Sequence, residues 1–395
     1  MNSNREFEIL REINSIPTAP FCEELIASYI TNWAHNLELD LKIDSTGNLY
    51  VTYRFDNKRQ SCNNDESANN TGFANDTKPA NDTEPVNDMK VCDETHWVLA
   101  AHMDHPGFEA ISQENEFVSA VFRGGVKEEF FAGSEVTFFS EGQKVHGTIE
   151  GVERDSVTKW FNCRIFVGEE KVVSGSTGMW KLPPFSIEDN IVSASACDDL
   201  AGVAAIMRVL EELKEENSYC HCTALFTRAE EVGFVGAVGV CKAQILGSNV
   251  HIIAVETSKV QLEANLGDGV VVRVGDKTSV FSTELTDYVS MLATVLIAKD
   301  EDFASVRRLM PGGTCESSVY CGAGFSATGL CLPLGNYHNM GSENSIDSEQ
   351  VAFSDYLSLI KLMRAVVTFD SSPQKRAEKW LNTVYSKYDS MAEYL

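Results

Sequence analysis

Histidine, aspartate and glutamate recur in this sequence directly after short apolar runs, at places where a strand would end. The segments are AAHMDHPGF, SACDDLAGV, FTRAEEVGF, IIAVET and LPLGNYHN. The side chains they bring forward are His102, Asp104, Asp198, Glu230, Glu231, Glu256 and His338. In open α/β sheets, ligands bind outside the strand ends. Imidazole nitrogens and carboxylate oxygens are good ligands for divalent ions, zinc above all, so the pattern predicts a metal site.

Each of these residues also has an ordinary structural explanation when it is taken alone. A single histidine such as His102 is more often structural than metal-binding, and Asp198 before a helix could be an N-cap. The Glu230 and Glu231 pair could simply open a helix, where the dipole favours negative charge. All of the segments together, each just past an apolar run, are much harder to explain in this way.

The elements that would position these side chains follow from the hydrophobic pattern. Residues 5–36 show helical apolar spacing with a break near Pro17 and Pro20. Residues 117–195 are rich in Val, Phe, Thr and Gly with alternating patches, which predicts an all-β unit. After Asp198, helical and strand patterns alternate. The simplest architecture is one layered α/β domain that is interrupted by an inserted β domain.

Residues 55–93 differ from the rest of the chain. They contain a degenerate repeat around Asn-Asp-Thr and almost nothing that could be buried. This composition predicts a disordered surface insertion between two strands.

Charge and composition exclude several classes of protein. The net charge is −26 and the hydrophobic fraction is 43%, so the chain can form a core but repels phosphate backbones and anionic membranes. We therefore expect neither nucleic-acid nor membrane partners. No apolar run approaches the ~20 residues of a membrane-spanning helix, and the N-terminal residues do not resemble a secretory signal. Together with eleven cysteines scattered through a long chain, this favours a cytoplasmic protein with reduced thiols.

Several motifs resemble those of the dinuclear zinc aminopeptidases of metallopeptidase family 42, the glutamyl and tetrahedral aminopeptidases. The matching stretches are the AHMD run, the Asp-Asp-x-Ala-Gly-Val helix start, FTxxEEVGxxGA, LGDG, PLGNYH, LREINSIPTAPFCEELIASYI and DSTGNL. The resemblance covers nearly the whole chain except 55–93 and the last two dozen residues. It implies a mixed-sheet three-layer α/β/α zinc-peptidase core in residues 1–106 and 191–395, with an inserted all-β domain at 107–190.

The resemblance also implies a role for each motif residue. The implied ligands of two divalent ions, zinc or else Co²⁺ or Mn²⁺, are His102, Asp198, Glu231, Glu256 and His338. Asp198 would bridge both ions, and Asp104 would fix the tautomer of His102. Glu230 would be the general base for a water that attacks a peptide substrate and releases its N-terminal residue. Relatives of this kind self-associate through the β domain, which makes a homo-oligomer the expectation.

Three positions depart from the family pattern. Glu256 stands where these aminopeptidases have Asp, Cys315 replaces the Asp of a Gly-Gly-Thr-Asp loop, and His105-Pro106 replaces a usual Glu-Ile. Either Glu316 compensates for the loss at Cys315, or the role of that loop is lost. These departures leave two alternatives: a related dizinc amidohydrolase of the deacylase or carboxypeptidase type, or a metal-binding homologue that has lost catalysis.

Overall fold

A computed structural model describes residues 5–55, 95–247, 249–261 and 264–394. Apart from its first residue, the predicted disordered insertion at 55–93 lies outside these residues. The α-helices of the described chain are α1 (Arg5–Asn14), α2 (Glu24–Asn36), α3 (Cys197–Glu215), α4 (Val235–Ala243), α5 (Thr283–Ile297), α6 (Glu316–Gly322), α7 (Phe353–Thr368) and α8 (Pro373–Met391). None of them is both long and apolar enough to span a membrane.

An eight-stranded mixed sheet forms the centre of the larger part of the molecule, in the order β1-β2-β12-β3-β13-β16-β14-β15. Its strands are β1 (Asp40–Ile43), β2 (Leu49–Arg54), β3 (His96–His102), β12 (His221–Thr227), β13 (Val250–Lys259), β14 (Val270–Gly275), β15 (Ser305–Leu309) and β16 (Ser326–Leu334). Helices cover both faces, so the predicted α/β class with a three-layer α/β/α core is confirmed.

The middle strands of this sheet are buried almost end to end. In β3, β12 and β16 every residue after the first is buried, as expected of parallel strands covered on both faces. The core on one face includes α3, whose buried residues run from Cys197 to Leu213. The core on the other face includes α4 and Tyr320 of α6. The helices on the two faces hold the middle strands in place, so that the ends of these strands lie along one edge of the sheet.

The inserted all-β unit is a closed barrel in the order β4-β5-β8-β7-β6-β9. Its strands are β4 (Gly107–Glu114), β5 (Phe117–Arg123), β6 (Glu135–Ser140), β7 (Gln143–Arg154), β8 (Phe161–Phe166) and β9 (Thr177–Trp180). Buried and exposed residues alternate along β8. The interior of the barrel contains packed aromatic rings, among them Phe108, Phe122 and Trp180. This packing accounts for the alternating pattern in the sequence.

In a small antiparallel sheet, two strands that follow the barrel in sequence join the last strand of the described chain. It contains β10 (Ser186–Glu188), β11 (Ile191–Ala194) and β17 (Glu349–Ala352). The last barrel strand ends at Trp180. The predicted domain limit at residue 190 falls between β10 and β11, which pair with each other. The predicted domain limits at residues 106 and 190 stay a prediction.

Candidate metal centre

The predicted ligands lie at the ends of neighbouring strands. Strands β12, β3, β13 and β16 are adjacent and parallel, so their carboxyl ends share one edge of the sheet. His102 is the last residue of β3, and Glu256 lies in the second half of β13. Glu231 and His338 occupy the short 3-10 turns that follow β12 and β16. Asp198 is the second residue of α3 and completes the set.

These side chains form two groups that share one carboxylate. His102 Nε2 lies 3.3 Å from Asp198 Oδ1 and 3.8 Å from Glu256 Oε2. His338 Nε2 lies 3.6 Å from Asp198 Oδ2 and 3.2 Å from Glu231 Oε1. One oxygen of Asp198 therefore faces each histidine. One ligand atom each from His102, Asp198 and Glu231 also fits within a mutual distance of 4.8 Å.

Several atoms of this cluster are buried without a hydrogen-bond partner among the described residues. They are Asp198 Oδ1, Glu256 Oε1 and His338 Nε2. Buried polar atoms normally have a partner, because leaving one unpaired costs about 1–3 kcal/mol. Imidazole and carboxylate donors that converge in this way suit a divalent ion such as zinc. The residues present therefore fit a metal site.

Backbone carbonyls fix the orientation of both histidines. The Nδ1–H of His102 donates to the carbonyl oxygen of Asp104 at 2.9 Å, and the Nδ1–H of His338 donates to that of Gly125 at 3.0 Å. Each bond selects the tautomer whose Nε2 lone pair points into the cluster, an arrangement common at metal sites. A side chain at Gly125 would come within 3.2 Å of the His338 ring.

The carboxylate of Asp104 holds the turn that carries the two glutamates. Its Oδ1 accepts the N–H of Glu230 at 2.9 Å, and its Oδ2 accepts the N–H of Glu231 at 3.2 Å. The same carboxylate stays 3.7 Å from His102 Nδ1, farther than the backbone carbonyl. Asp104 thus contacts His102 through its main chain and contacts the glutamate turn through its side chain.

Glu349 is a buried contact that the sequence patterns did not single out. Its Oε2 accepts the N–H of Asp198 at 2.9 Å, and its Oε1 accepts the N–H of His338 at 2.8 Å. One carboxylate therefore ties together the main chain of two predicted ligands that are far apart in sequence. Glu349 begins β17 in an unremarkable stretch, and no spacing signal marks it.

The cluster concentrates negative charge away from water. Burial, with Glu256 close by, raises the pKa of Glu230 well above its usual range. Burial acts on Asp198 in the same sense, but His102 and His338 outweigh it and lower the pKa of Asp198. Positive charge is therefore what this cluster needs in order to ionise fully, and bound cations would supply it.

A cavity of about 610 Å³ opens onto the cluster. Asp198, Glu230, Glu256 and His338 form part of its wall. Met310, residues 312–315 and Arg273 also line it. This size accommodates a side chain and the peptide bond that follows it.

Residues 88–351 match the family model described as M42 glutamyl aminopeptidase. The match spans well over half of the chain. The chain belongs to the M42 family. It is therefore a metal-dependent aminopeptidase, and the deacylase, carboxypeptidase and inactive alternatives are not favoured.

Solved structures show the same fold in other proteins of this kind. The TET1 peptidase of Pyrococcus horikoshii is 20% identical, with 92% of this chain and 99% of that chain covered and a TM-score of 0.68. A TET aminopeptidase from Thaumarchaeota archaeon SCGC AB-539-E09 is 15% identical, with 95% and 99% covered and a TM-score of 0.71. Aminopeptidase APDkam598 of Desulfurococcus kamchatkensis is 17% identical, with 93% and 96% covered and a TM-score of 0.68.

The three departures of this M42 chain lie around the cluster. Glu256, whose side chain is one methylene longer than that of Asp, still contacts the cluster at His102. Cys315 lines the cavity. Glu316 is buried and is not part of the cavity wall, and burial raises its pKa to about 8. The Nδ1–H of His105 donates to the carbonyl of Asp198 at 2.7 Å, so this residue also supports the ligand main chain. The catalytic and ligand roles assigned from the sequence stay predictions.

Proposed function

We propose that this chain removes N-terminal residues from peptides at a centre that holds two divalent metal ions. His102, Glu256 and one oxygen of Asp198 would hold the first ion. His338, Glu231 and the other oxygen of Asp198 would hold the second. The observation that carries the proposal is the position of Asp198 between two histidine–carboxylate groups.

The donor set favours zinc, although Co²⁺ and Mn²⁺ accept the same ligands. When bound, such ions polarise the scissile carbonyl and make the attacking water more acidic. Nine cysteines of the described residues are free thiols, which supports a reducing compartment such as the cytoplasm.

Glu230 is the group we propose as the general base. Its side chain lines the cavity next to the cluster, and Asp104 fixes its backbone. Its raised pKa suits a carboxylate that takes a proton from water and passes it to the departing amine. Glu231, one residue later, points toward His338 instead, so the two neighbours have different tasks.

The Glu230→Gln variant tests this assignment. We expect kcat on aminoacyl anilides to fall by about 10²–10⁴, because general acid–base catalysis contributes that much. Two equivalents of metal should remain bound, as measured by atomic emission. Full activity in the variant would refute the proposal. A parallel panel of free-amine and N-blocked peptides should show cleavage only of the free-amine set.

We further propose a preference for an acidic N-terminal residue. Arg273 is 3% exposed, lines the cavity, and its Nε has no hydrogen-bond partner among the described residues. A buried guanidinium with free donor capacity favours a carboxylate, which it can bind at two points. The matching family is named for glutamyl substrates, which agrees with this preference.

The assembly state is also part of the proposal. TET1 of Pyrococcus horikoshii is described as assembling into a tetrahedron or a large octahedral shell. We propose that this chain forms a homo-oligomer in which the barrel β4–β9 contributes an interface. Exposed apolar side chains on the barrel unit, such as Ile111, Val157 and Phe166, support this choice.

A further inference from the structure

A tight turn, residues 275–280, follows strand β14 and closes through a bridge between Gly275 and Val280. A Cβ atom at Gly275 would lie 2.5 Å from the carbonyl oxygen of Ser279, so the turn closes this tightly because residue 275 is glycine. None of these described residues lines the cavity at the metal centre. The turn instead contacts residues 312–315, which do line it and which we call the cavity loop.

The cavity loop has little support of its own. Its sequence is Gly-Gly-Thr-Cys, and a Cβ atom at Gly313 would meet no other atom within 4 Å. Within the described part of the chain, the N–H groups of Gly312, Gly313 and Thr314 have no hydrogen-bond partner. Glycine also loses more conformational entropy on ordering than any other residue. The position of the cavity loop therefore depends on contacts that come from outside it.

The turn supplies such contacts along its main chain and side chains. The N–H of Lys277 donates to the carbonyl oxygen of Gly313 at 3.0 Å. The hydroxyl groups of Thr278 and Thr314 lie 2.5 Å apart. Two neighbouring residues of the turn therefore bind two neighbouring residues of the cavity loop.

The carboxylate of Asp276 joins the turn to the cavity loop. This side chain is buried, and its Oδ1 accepts the N–H groups of Thr278 at 2.7 Å and Ser279 at 3.0 Å, which closes the turn. Its Oδ2 accepts the N–H of Cys315 at 2.9 Å and the hydroxyl of Ser318 at 2.7 Å. One buried group therefore fixes the turn, the last residue of the cavity loop and the first part of α6 relative to one another.

The charge of Asp276 strengthens these bonds. Burial acts to raise the pKa of Asp276, but the Ser318 hydroxyl and the N–H groups around the carboxylate outweigh burial and lower the pKa. Hydrogen bonds to an ionised acceptor are roughly twice as strong as bonds between neutral groups. The bond from Cys315 is therefore the strongest of those that hold the cavity loop to the turn.

Arg273 lies on the same strand but is held independently of the turn. In β14 its backbone pairs with Gly329 of β16 on one side and with Arg308 of β15 on the other. The stem of its side chain packs at Gly329, where a Cβ atom would lie 3.3 Å from Arg273 Cδ. Loosening the turn should therefore move the cavity loop and leave the guanidinium in place.

We propose that Asp276 is a positioning residue for substrate binding, which holds the cavity loop against the N-terminal residue of the substrate. The inference rests on the proposed function, in which the cavity receives that residue. Asp276 acts through the cavity loop and does not touch the substrate. No residue of the cavity loop is a proposed metal ligand, so a displaced loop weakens the binding of substrate and transition state alike. Such a change raises KM and leaves kcat unaltered.

Steady-state kinetics of Asp276→Asn test this role. Asparagine offers a single acceptor oxygen, so either the turn or the cavity loop loses its partner. We expect the KM for a glutamyl anilide and for a leucyl anilide to rise equally, by about tenfold, with kcat changed less than about twofold. The metal content should be that of the wild type. A lower melting temperature with unchanged KM values would show a merely structural role and overturn the proposal.

Asp155→Asn is the matched control. Asp155 Oδ1 accepts the N–H groups of Val157 and Thr158, two and three positions later, as Asp276 Oδ1 does in its own turn. Among the described residues, the Asp155 side chain binds no second segment. We expect both KM values to stay at those of the wild type. An equal rise in this variant would overturn the proposal, because the effect would not depend on the cavity loop.

Thr278→Val provides the test if Asp276→Asn does not fold. It removes only the hydroxyl that contacts Thr314, on an exposed residue of the turn. We expect both KM values to rise by about threefold, as for one ordinary hydrogen bond, and in that case unchanged values overturn the proposal. A wild-type chain that cleaves neither anilide would overturn the proposed function and this inference with it. An active wild type with an unaffected Asp276→Asn overturns this inference alone.

Discussion

At the scale of single residues, Asp198 is the side chain on which the proposed chemistry depends most. Its two oxygens face two different histidines, and its own N–H and carbonyl are bound by Glu349 and His105. A carboxylate whose backbone is held on both sides has little freedom to turn away. Pre-organisation of this kind costs nothing at the moment when ligands bind.

Arg273 gives the first prediction at this scale. Arg273→Met should raise the KM for a glutamyl anilide by at least about tenfold, because an ion-paired hydrogen bond contributes about 1.5–3 kcal/mol. The KM for a leucyl anilide should change little. Lys259→Met, at the exposed rim of the same cavity, serves as the matched control. Equal losses on both substrates would show that Arg273 supports the cavity and does not select the substrate.

Glu316 gives a prediction about pH. Burial raises its pKa to about 8, so the folded metal-free protein binds more protons than the unfolded chain between the normal glutamate pKa and that value. Stability from this group is therefore lost as the pH rises through this range. In the presence of a chelator, we expect the melting temperature of Glu316→Gln to be close to that of the wild type at pH 5. At pH 9 we expect it to be higher than that of the wild type. A constant difference in melting temperature across this range would contradict the assigned pKa.

At the scale of elements, the turn after β12 shows how an irregular segment is held in place. Asp104 accepts two of the N–H groups of this turn. Glu23, the residue just before α2, accepts the N–H of Ala229 at 3.0 Å. The Nε–H of Arg228 donates to the same Glu23 at 2.7 Å. Two buried carboxylates from distant parts of the chain therefore replace the hydrogen bonds that a regular strand would have made.

Asp104→Asn tests this support. An asparagine offers only one acceptor atom, so the N–H of Glu230 or Glu231 would lose its partner and the turn would loosen. We expect kcat to fall by about 10–100-fold with metal content reduced at most slightly. Asp155→Asn is the matched control, because Asp155 accepts the N–H groups of an exposed turn in the barrel unit. Unchanged kinetics for Asp104→Asn would remove the turn from the proposed mechanism.

At the scale of the whole molecule, the barrel and the sheet meet at the metal centre. Gly125 follows barrel strand β5, and its carbonyl orients His338, which follows core strand β16. The cluster also gathers Asp198, Glu231 and Glu256 in the interior with little water to screen their repulsion. We therefore expect the stability of the whole folded state to depend on bound cations.

Metal removal should consequently destabilise the entire protein. A ligand that binds only the folded state stabilises it by about 4 kcal/mol at a thousand times its dissociation constant, so we expect a chelator to lower the melting temperature by at least about 5 °C. Calorimetry with and without added Zn²⁺ measures this shift. The double variant Glu256→Gln/His338→Gln should melt at the same temperature in both conditions. A wild-type protein that is indifferent to chelator would argue against a metal centre.

The α/β class, the inserted β unit and the set of residues that could bind metal were all predictable from the sequence. These follow from local signals: the alternation of apolar residues reports burial, and carboxylates and histidines just past apolar runs report strand ends. The resemblance to the M42 family added the roles of Glu230 and the ligands. None of this required knowledge of contacts between distant parts of the chain.

How those residues meet depends on contacts between segments that are far apart in the sequence. Glu349 binds main-chain groups that lie 151 and 11 positions away, and Gly125 orients a histidine 213 positions away. Such contacts leave no periodicity in the sequence, because a single acceptor can be supplied from any segment that the fold brings near. The shared position of Asp198 and the burial of Arg273 became visible for the same reason.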